Sequence, residues 1–176
     1  KISGNTAIRK FTIVTIVLLG VQLLYGALMA GHKAATAAPT WPDINGAAVP
    51  DSMFRETPAL LNLIDNKITI HFIHRLLAYV LLIAILFFCI QLRKQAIAKN
   101  NTLLLKTWWL PLFIAALQVV LGIASVLMSL QIVPNRWGGF EWMAQLHQLT
   151  AMFLLLSLIW FLFLVRTEKN TAVNTI

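Results

Sequence analysis

Four stretches of this chain are too long, too apolar and too poor in charge for a soluble fold. Residues 11–30 carry no charged side chain, and about 20 helical residues at roughly 1.5 Å each match a hydrocarbon core about 30 Å thick. Residues 68–92 form a second run, interrupted only by His71, His74 and Arg75 near its start. The third covers residues 108–130, with Pro111 in the first turns, where a missing N–H is tolerated. The fourth covers residues 141–165. Because a bilayer core offers no water to satisfy open backbone groups, such runs must be helical. The expected fold is all-α, a transmembrane four-helix bundle forming one domain over residues 1–176. Composition agrees, with 59% hydrophobic and 11% charged residues, against about a quarter charged in soluble domains.

The connections differ in length and charge. Residues 31–65 are polar and irregular, with Pro39, Pro42, Pro50, Pro58 and an Asn45-Gly46 turn signal. They predict a long loop with a short helix near residues 57–64. Residues 93–106 form a short basic connection, and residues 132–140, with Pro134, Asn135 and Gly138-Gly139, form the last turn. One side of the membrane then holds Lys1, Arg9, Lys10, Arg93, Lys94, Lys99, Lys106, Arg166 and Lys169 against Glu168. The other balances Lys33, Arg55, Lys67, Arg75 and Arg136 with Asp43, Asp51, Glu56, Asp65 and Glu141. By the positive-inside rule both termini lie in the cytoplasm and the protein is a multi-pass component of a bacterial-type inner membrane. The net charge of +8 is therefore topological and points to lipid, not nucleic acid, as the partner. Trp41, Trp137 and Trp142 would mark the outer interface and Trp108 and Trp109 the inner one, although Trp108 fits a core position equally well. Cys89, the single cysteine, excludes an internal disulfide and a cysteine metal cluster. The segment from Lys1 to Lys10 has no small-residue cleavage pattern and does not read as a signal peptide. The absence of an initial Met predicts that residues precede Lys1.

A short pattern occurs twice. His74-Arg75-Leu76-Leu77-Ala78 and His147-Gln148-Leu149-Thr150-Ala151 share H-x-L-x-A, and each follows an apolar run carrying Q-x-x-x-G, Gln22 to Gly26 and Gln118 to Gly122. One helical hairpin is used twice, and the two copies are expected to be related by a pseudo-twofold axis along the membrane normal. An imidazole in lipid is costly unless it binds or pairs. The two histidines enter parallel helices at similar depth, roughly 9–12 Å from the helix ends. A flat macrocycle between them would take one imidazole on each face of its iron, the arrangement of a low-spin b-type cytochrome. Hydrogen bonding within the bundle is the alternative for a lone histidine, and repetition weighs against it. Zinc wants three or four ligands, and the spans offer no carboxylate or cysteine at this depth. His71, one turn from His74 on the same face, is an alternative ligand. It has no counterpart in the second repeat, which assigns it a place beside the ligand as a proton donor or propionate partner. His32 reads as a solvated interface residue. Arg75 and Arg136, with Lys67 behind them, are the candidate cations for haem propionates. Arg75 has the stronger case, because a charge so far into a span must be neutralised or snorkel out. Gly26 and Gly122, with Ala27, Ala124 and Ser125, allow close approach of a planar ligand or of another helix. The roles of Gln22 and Gln118 stay open.

These residues resemble the haem A synthases of cytochrome oxidase assembly. The likeness rests on YGALMAGHKAATAAPTWPDING (residues 25–46), HFIHRLLAY (71–79), LQVVLGIASV (117–126) and QLHQLTA (145–151), in that order and spacing. It covers nearly the whole chain and matches the second, C-terminal half of the family. The resemblance implies eight spans in two four-helix halves, each with a histidine pair. One half holds haem b; the other holds the substrate haem O, whose C8 methyl is oxidised to a formyl group. His74 and His147 fall on the pair of the haem b half. It also implies the N-terminal half of the same protein or a second copy as partner, together with haem O synthase and cytochrome oxidase assembly. The chain departs from the catalytic half in two ways: a glutamate three residues before the first histidine is replaced here by His71, and a loop cysteine pair is absent. Both departures argue that this chain is not itself the oxidising site. Two other classes stand beside this reading: an electron-transfer b-type cytochrome subunit, and a cofactor-free membrane assembly subunit.

Overall fold

The computed structural model describes residues 6–133 and 135–165. Lys1, Pro134, Arg166, Glu168 and Lys169, used above for turn and charge assignments, lie outside the described residues. Among the described residues six α-helices follow in order: α1 (Thr6–Gly31), α2 (Ala34–Ala37), α3 (Lys67–Ala98), α4 (Thr102–Thr107), α5 (Leu110–Met128) and α6 (Gly139–Leu164). Short 3-10 turns occupy Asp51–Phe54, Ala59–Leu63 and Ser129–Gln131. Among the described residues there is no β-strand beyond the single Ile44–Ala47 bridge. Four segments are long and apolar enough to cross a membrane: α1, α3, Thr102–Gln131 and α6. The chain is an integral membrane protein built as an all-α bundle.

The helices run past the apolar stretches. α3 continues through Arg93 and Lys94 to Ala98, and α4 resumes at Thr102, so the basic connection shrinks to residues 99–101. Long straight side chains such as Arg, Lys and Gln lose little freedom in a helix; their charge ends the membrane run but not the helix. The stop comes at Asn100, which adopts a left-handed φ of 48°. Asn101 then caps α4 by accepting the Leu104 N–H at 2.9 Å. Asn66 caps α3 in the same way, accepting from Ile68 and Thr69 at 3.0 and 3.1 Å. At α6 the Glu141 carboxylate accepts the Gly138 N–H at 2.8 Å. Within the spans, hydroxyls bond to their own helix, as Thr12 does to the Ile8 carbonyl at 2.8 Å and Thr150 to that of Leu146 at 2.8 Å. Such bonds satisfy polar groups where there is no water.

The hairpins are α1 with α3 and α5 with α6, the two most extensive helix contacts. At the end where the chain starts and α6 stops, they close on a dense core that includes Leu81, Ile85, Phe88, Cys89, Leu92, Leu154, Leu158 and Phe161. Phe88 and Phe161 meet edge to face across the hairpins, with ring centroids 5.9 Å apart. At the opposite end the hairpins part, and the first loop covers the gap. α2 packs on α1, α3 and α5, with Ala34 and Ala38 fully buried and the Ser129 hydroxyl donating to the Ala35 carbonyl at 3.1 Å. The first hairpin's loop thereby reaches over onto the second hairpin.

Candidate functional site

The gap between the hairpins is a cavity of about 960 Å³ with His74 on one wall and His147 on the other. His74 is the eighth residue of α3 and His147 the ninth of α6, so the two parallel helices bring them to one level. Their ring centroids stand 6.4 Å apart with planes at 69°. A metal–imidazole nitrogen bond is about 2 Å, so two rings on opposite sides of one ion stand roughly 6 Å apart, centre to centre. Among the described residues no three His, Cys, Asp or Glu side chains gather. Two imidazoles alone do not complete the shell of a transition metal; a planar macrocycle that brings four further donors does.

Each histidine is held by the Q-x-x-x-G helix of its own hairpin. His147 Nδ1 lies 2.9 Å from the backbone carbonyl of Gln118. A carbonyl only accepts, so Nδ1 carries the proton and Nε2 presents its lone pair, the tautomer suited to a metal. The Gln118 side-chain amide donates to that lone pair at 3.2 Å. On the other wall, Gln22 Nε2 is 3.2 and 3.4 Å from the two ring nitrogens of His74. Both amide oxygens, Gln22 Oε1 and Gln118 Oε1, are buried with no hydrogen-bond partner among the described residues. The glycines one turn later make room: a Cβ on Gly26 would come 3.5 Å from His74 Cε1, and one on Gly122 would come 3.0 Å from His147 Cε1. Glutamine and glycine four residues apart share a helix face, which is the physical sense of the repeated spacing. The open question about Gln22 and Gln118 thus has a structural answer, since each contacts the histidine of its own repeat.

At the mouth, His71 is fully buried. Its Nε2 accepts from Arg75 Nε at 3.0 Å, which places the proton on Nδ1, an atom with no hydrogen-bond partner among the described residues. The rest of the Arg75 guanidinium is turned to the first loop, donating to the carbonyls of Thr40 and of Asp43, the latter at 2.7 Å. The Asp43 carboxylate is held below its ordinary range, chiefly by the Gly46 N–H at 2.9 Å, then by the Thr40 side chain, with the Arg75 charge adding to it. His71 and Arg75 both line the cavity. Arg136 does not: it is exposed in the turn before α6, beside Trp137, which does line the mouth. Lys67 opens α3, exposed and off the wall, and His32 Nδ1 lies 3.6 Å from Asp65. A second wall cation escaped the sequence reading. Lys33, whose left-handed φ of 52° turns the chain between α1 and α2, lines the mouth.

Residues 1–164 match the family described as Cytochrome oxidase assembly protein. The chain belongs to the haem A synthase family of cytochrome oxidase assembly proteins. It is 36% identical over 129 residues to the heme A synthase of Chelativorans sp. (strain BNC1), covering 72% of this chain and 35% of that protein. It is 33% identical over 136 residues to that of Sinorhizobium medicae (strain WSM419), 75% of this chain and 34% of the relative. The heme A synthase of Wolbachia pipientis wMel matches over 175 residues at 28% identity, 99% of this chain and 44% of the relative. The chain thus spans a third to under a half of these relatives. No solved structure matches.

Proposed function

We propose that this chain is the haem b-holding half of a haem A synthase, with His74 and His147 as the two axial ligands. The complete enzyme would oxidise the C8 methyl of haem O to a formyl group, an oxidoreductase reaction in which this half supports a centre elsewhere. The observation that carries the reading is the pair of imidazoles 6.4 Å apart on opposite walls of one interhairpin cavity. A bis-histidine haem supplies one-electron chemistry. The protein's part is geometric and electrostatic. The Gln118 carbonyl fixes the His147 tautomer, Gly26 and Gly122 give the rings space, and the apolar walls keep water from the macrocycle.

Arg75 and Lys33 offer positive charge at the mouth for the carboxylates of a haem edge, and His71 offers its buried Nδ1–H. Arg136 belongs to the same rim as a longer-range charge. The basic residues Arg9, Lys10, Arg93, Lys94 and Lys106 gather at the closed end of the bundle, so that end faces the cytoplasm and the cavity mouth the outer side. Working partners would be the remaining half of the same protein or a second copy, and the machinery that makes haem O and assembles cytochrome oxidase.

The test is haem A formation from haem O in cells carrying the intact protein. His74→Ala and His147→Ala should each abolish it while the protein still accumulates in the membrane. Undiminished haem A in both variants would overturn the reading. Bound haem b with no dependence of haem A formation on this segment would instead leave an electron-transfer cytochrome.

A further inference from the structure

Residues 49–64 of the first loop expose large apolar side chains while burying an asparagine. One polar side chain of the segment faces inward, Asn62 at 2% exposure, onto Asn66 and Thr69 at the start of α3, which are 8% and 1% exposed. Asn62 accepts the Glu56 N–H and donates to the Glu56 and Ala59 carbonyls, all at 3.0 Å. Asn66 donates to the Ser52 carbonyl at 2.9 Å and to Asn62 Oδ1 at 3.2 Å, and the Thr69 hydroxyl donates to the Met53 carbonyl. This network ties the loop rigidly to the first turn of α3. Apart from the buried Met53, the large apolar side chains face the opposite way, with Phe54 74%, Leu60 76% and Ile64 56% exposed, and Val49 and Leu63 exposed as well. In water such an arrangement is unfavourable at about 25 cal/mol per Å² of apolar surface, so the face calls for an apolar surrounding.

The depth of the segment says what covers it. α3 has 32 residues, about 48 Å at 1.5 Å each, and exceeds a hydrocarbon core of about 30 Å. Counting back about 20 residues from Arg93, where the charges of the closed end begin, reaches roughly residue 73. Residues 67–72, and the loop hydrogen-bonded to them, therefore lie in the interfacial layer. The segment packs on α3 and lines none of the cavity. Leu76, Val80 and Ile83 of that helix are exposed as well. We propose that residues 49–64 form a shelf seated in the bilayer interface beside α3, with Phe54, Leu60 and Ile64 among the upper acyl chains. Asp51, Arg55, Glu56 and Asp65, all exposed, reach the headgroups. Apolar faces of this kind bury about 5–10 Å into the headgroup–acyl boundary. The shelf fixes the height at which the cavity mouth meets the membrane surface.

The test places single thiols at Phe54→Cys, Leu60→Cys and, as a polar control in the same segment, Glu56→Cys in the intact protein in lipid nanodiscs. Cys89 is fully buried in the core and does not compete for an environment-sensitive fluorophore. Labels at positions 54 and 60 should emit at shorter wavelength than at 56, and nitroxides near the top of the acyl chains should quench them several-fold more strongly. Water-like, unquenched emission at 54 and 60 would overturn the proposal. So would short-wavelength emission that lipid nitroxides leave unquenched, which would mean that protein covers the face.

Discussion

Gly122 lies directly against His147, so that a Cβ placed there would come within 3.0 Å of the imidazole Cε1, while the matching approach of Gly26 to His74 is 3.5 Å. The two repeats share a plan but differ in tightness, and this difference is measurable. Gly122→Ala should displace the His147 ring and cost about 1–3 kcal/mol of stability through overpacking. Gly26→Ala should be nearly neutral. Melting temperature and haem retained per chain, compared between the two variants, check this ordering.

Arg75, braced by His71 one turn earlier on α3, joins that helix to the loop over the cavity through the carbonyls of Thr40 and Asp43. Arg75→Ala should free that loop, with a loss on the order of 1.5–3 kcal/mol for charged hydrogen bonds removed. Arg75→Lys should recover only part of it, because an ammonium cannot span three acceptors in a fixed fork. Faster amide exchange in residues 40–46, with the spans unaffected, is the expected signature.

Asp43 gives the loop a pH dependence of definite sign. Its folded carboxyl titrates below its ordinary value of 3.8 because the Gly46 N–H, the Thr40 side chain and Arg75 favour the charged form. A depressed carboxylate contributes stability that is complete above the unfolded value and is lost as pH falls through the folded one. Pepsin nicking of residues 40–46 should therefore begin only below about pH 4. In Asp43→Asn the nicking rate, divided by pepsin's rate on an unfolded substrate at each pH, should not change across this range.

Asn62 anchors the loop segment 49–64 with bonds to Glu56 and Ala59. Asn62→Leu should remove the partner of the Glu56 N–H and carbonyl and destabilise the loop by about 1–3 kcal/mol. The haem content should not change, since the segment lies off the cavity wall. Equal loss of haem and loop order would contradict that separation.

The four spans and the facing histidines were legible because length without charge and a pattern repeated within the chain are strong signals in a bilayer. Helix ends were less so: Arg93 and Lys94 end the apolar run, yet the backbone stays helical until Asn100. The glutamine contacts were present in the Q-x-x-x-G spacing, but a spacing shows which residues share a face and not which neighbour that face meets. Arg75's acceptors are backbone carbonyls of Thr40 and Asp43, groups every residue carries, so no side-chain pattern marks them. Lys33 reaches the wall and Arg136 does not because loop geometry, set by a left-handed turn at Lys33, decides which cation faces the cavity. The 3-10 turn at Ala59–Leu63 falls within the short helix expected near residues 57–64, whereas Asp51–Phe54 and α2 had no periodic signal to announce them.

Ligation of one haem by His74 and His147 is read in the reduced-minus-oxidised optical spectrum of the purified protein beside its His74→Ala and His147→Ala variants. One low-spin b-type signal per chain is expected, lost or converted to a high-spin spectrum in each variant alone. A haem signal that persists unchanged in both variants, or a folded wild-type chain that takes up no haem, would contradict it.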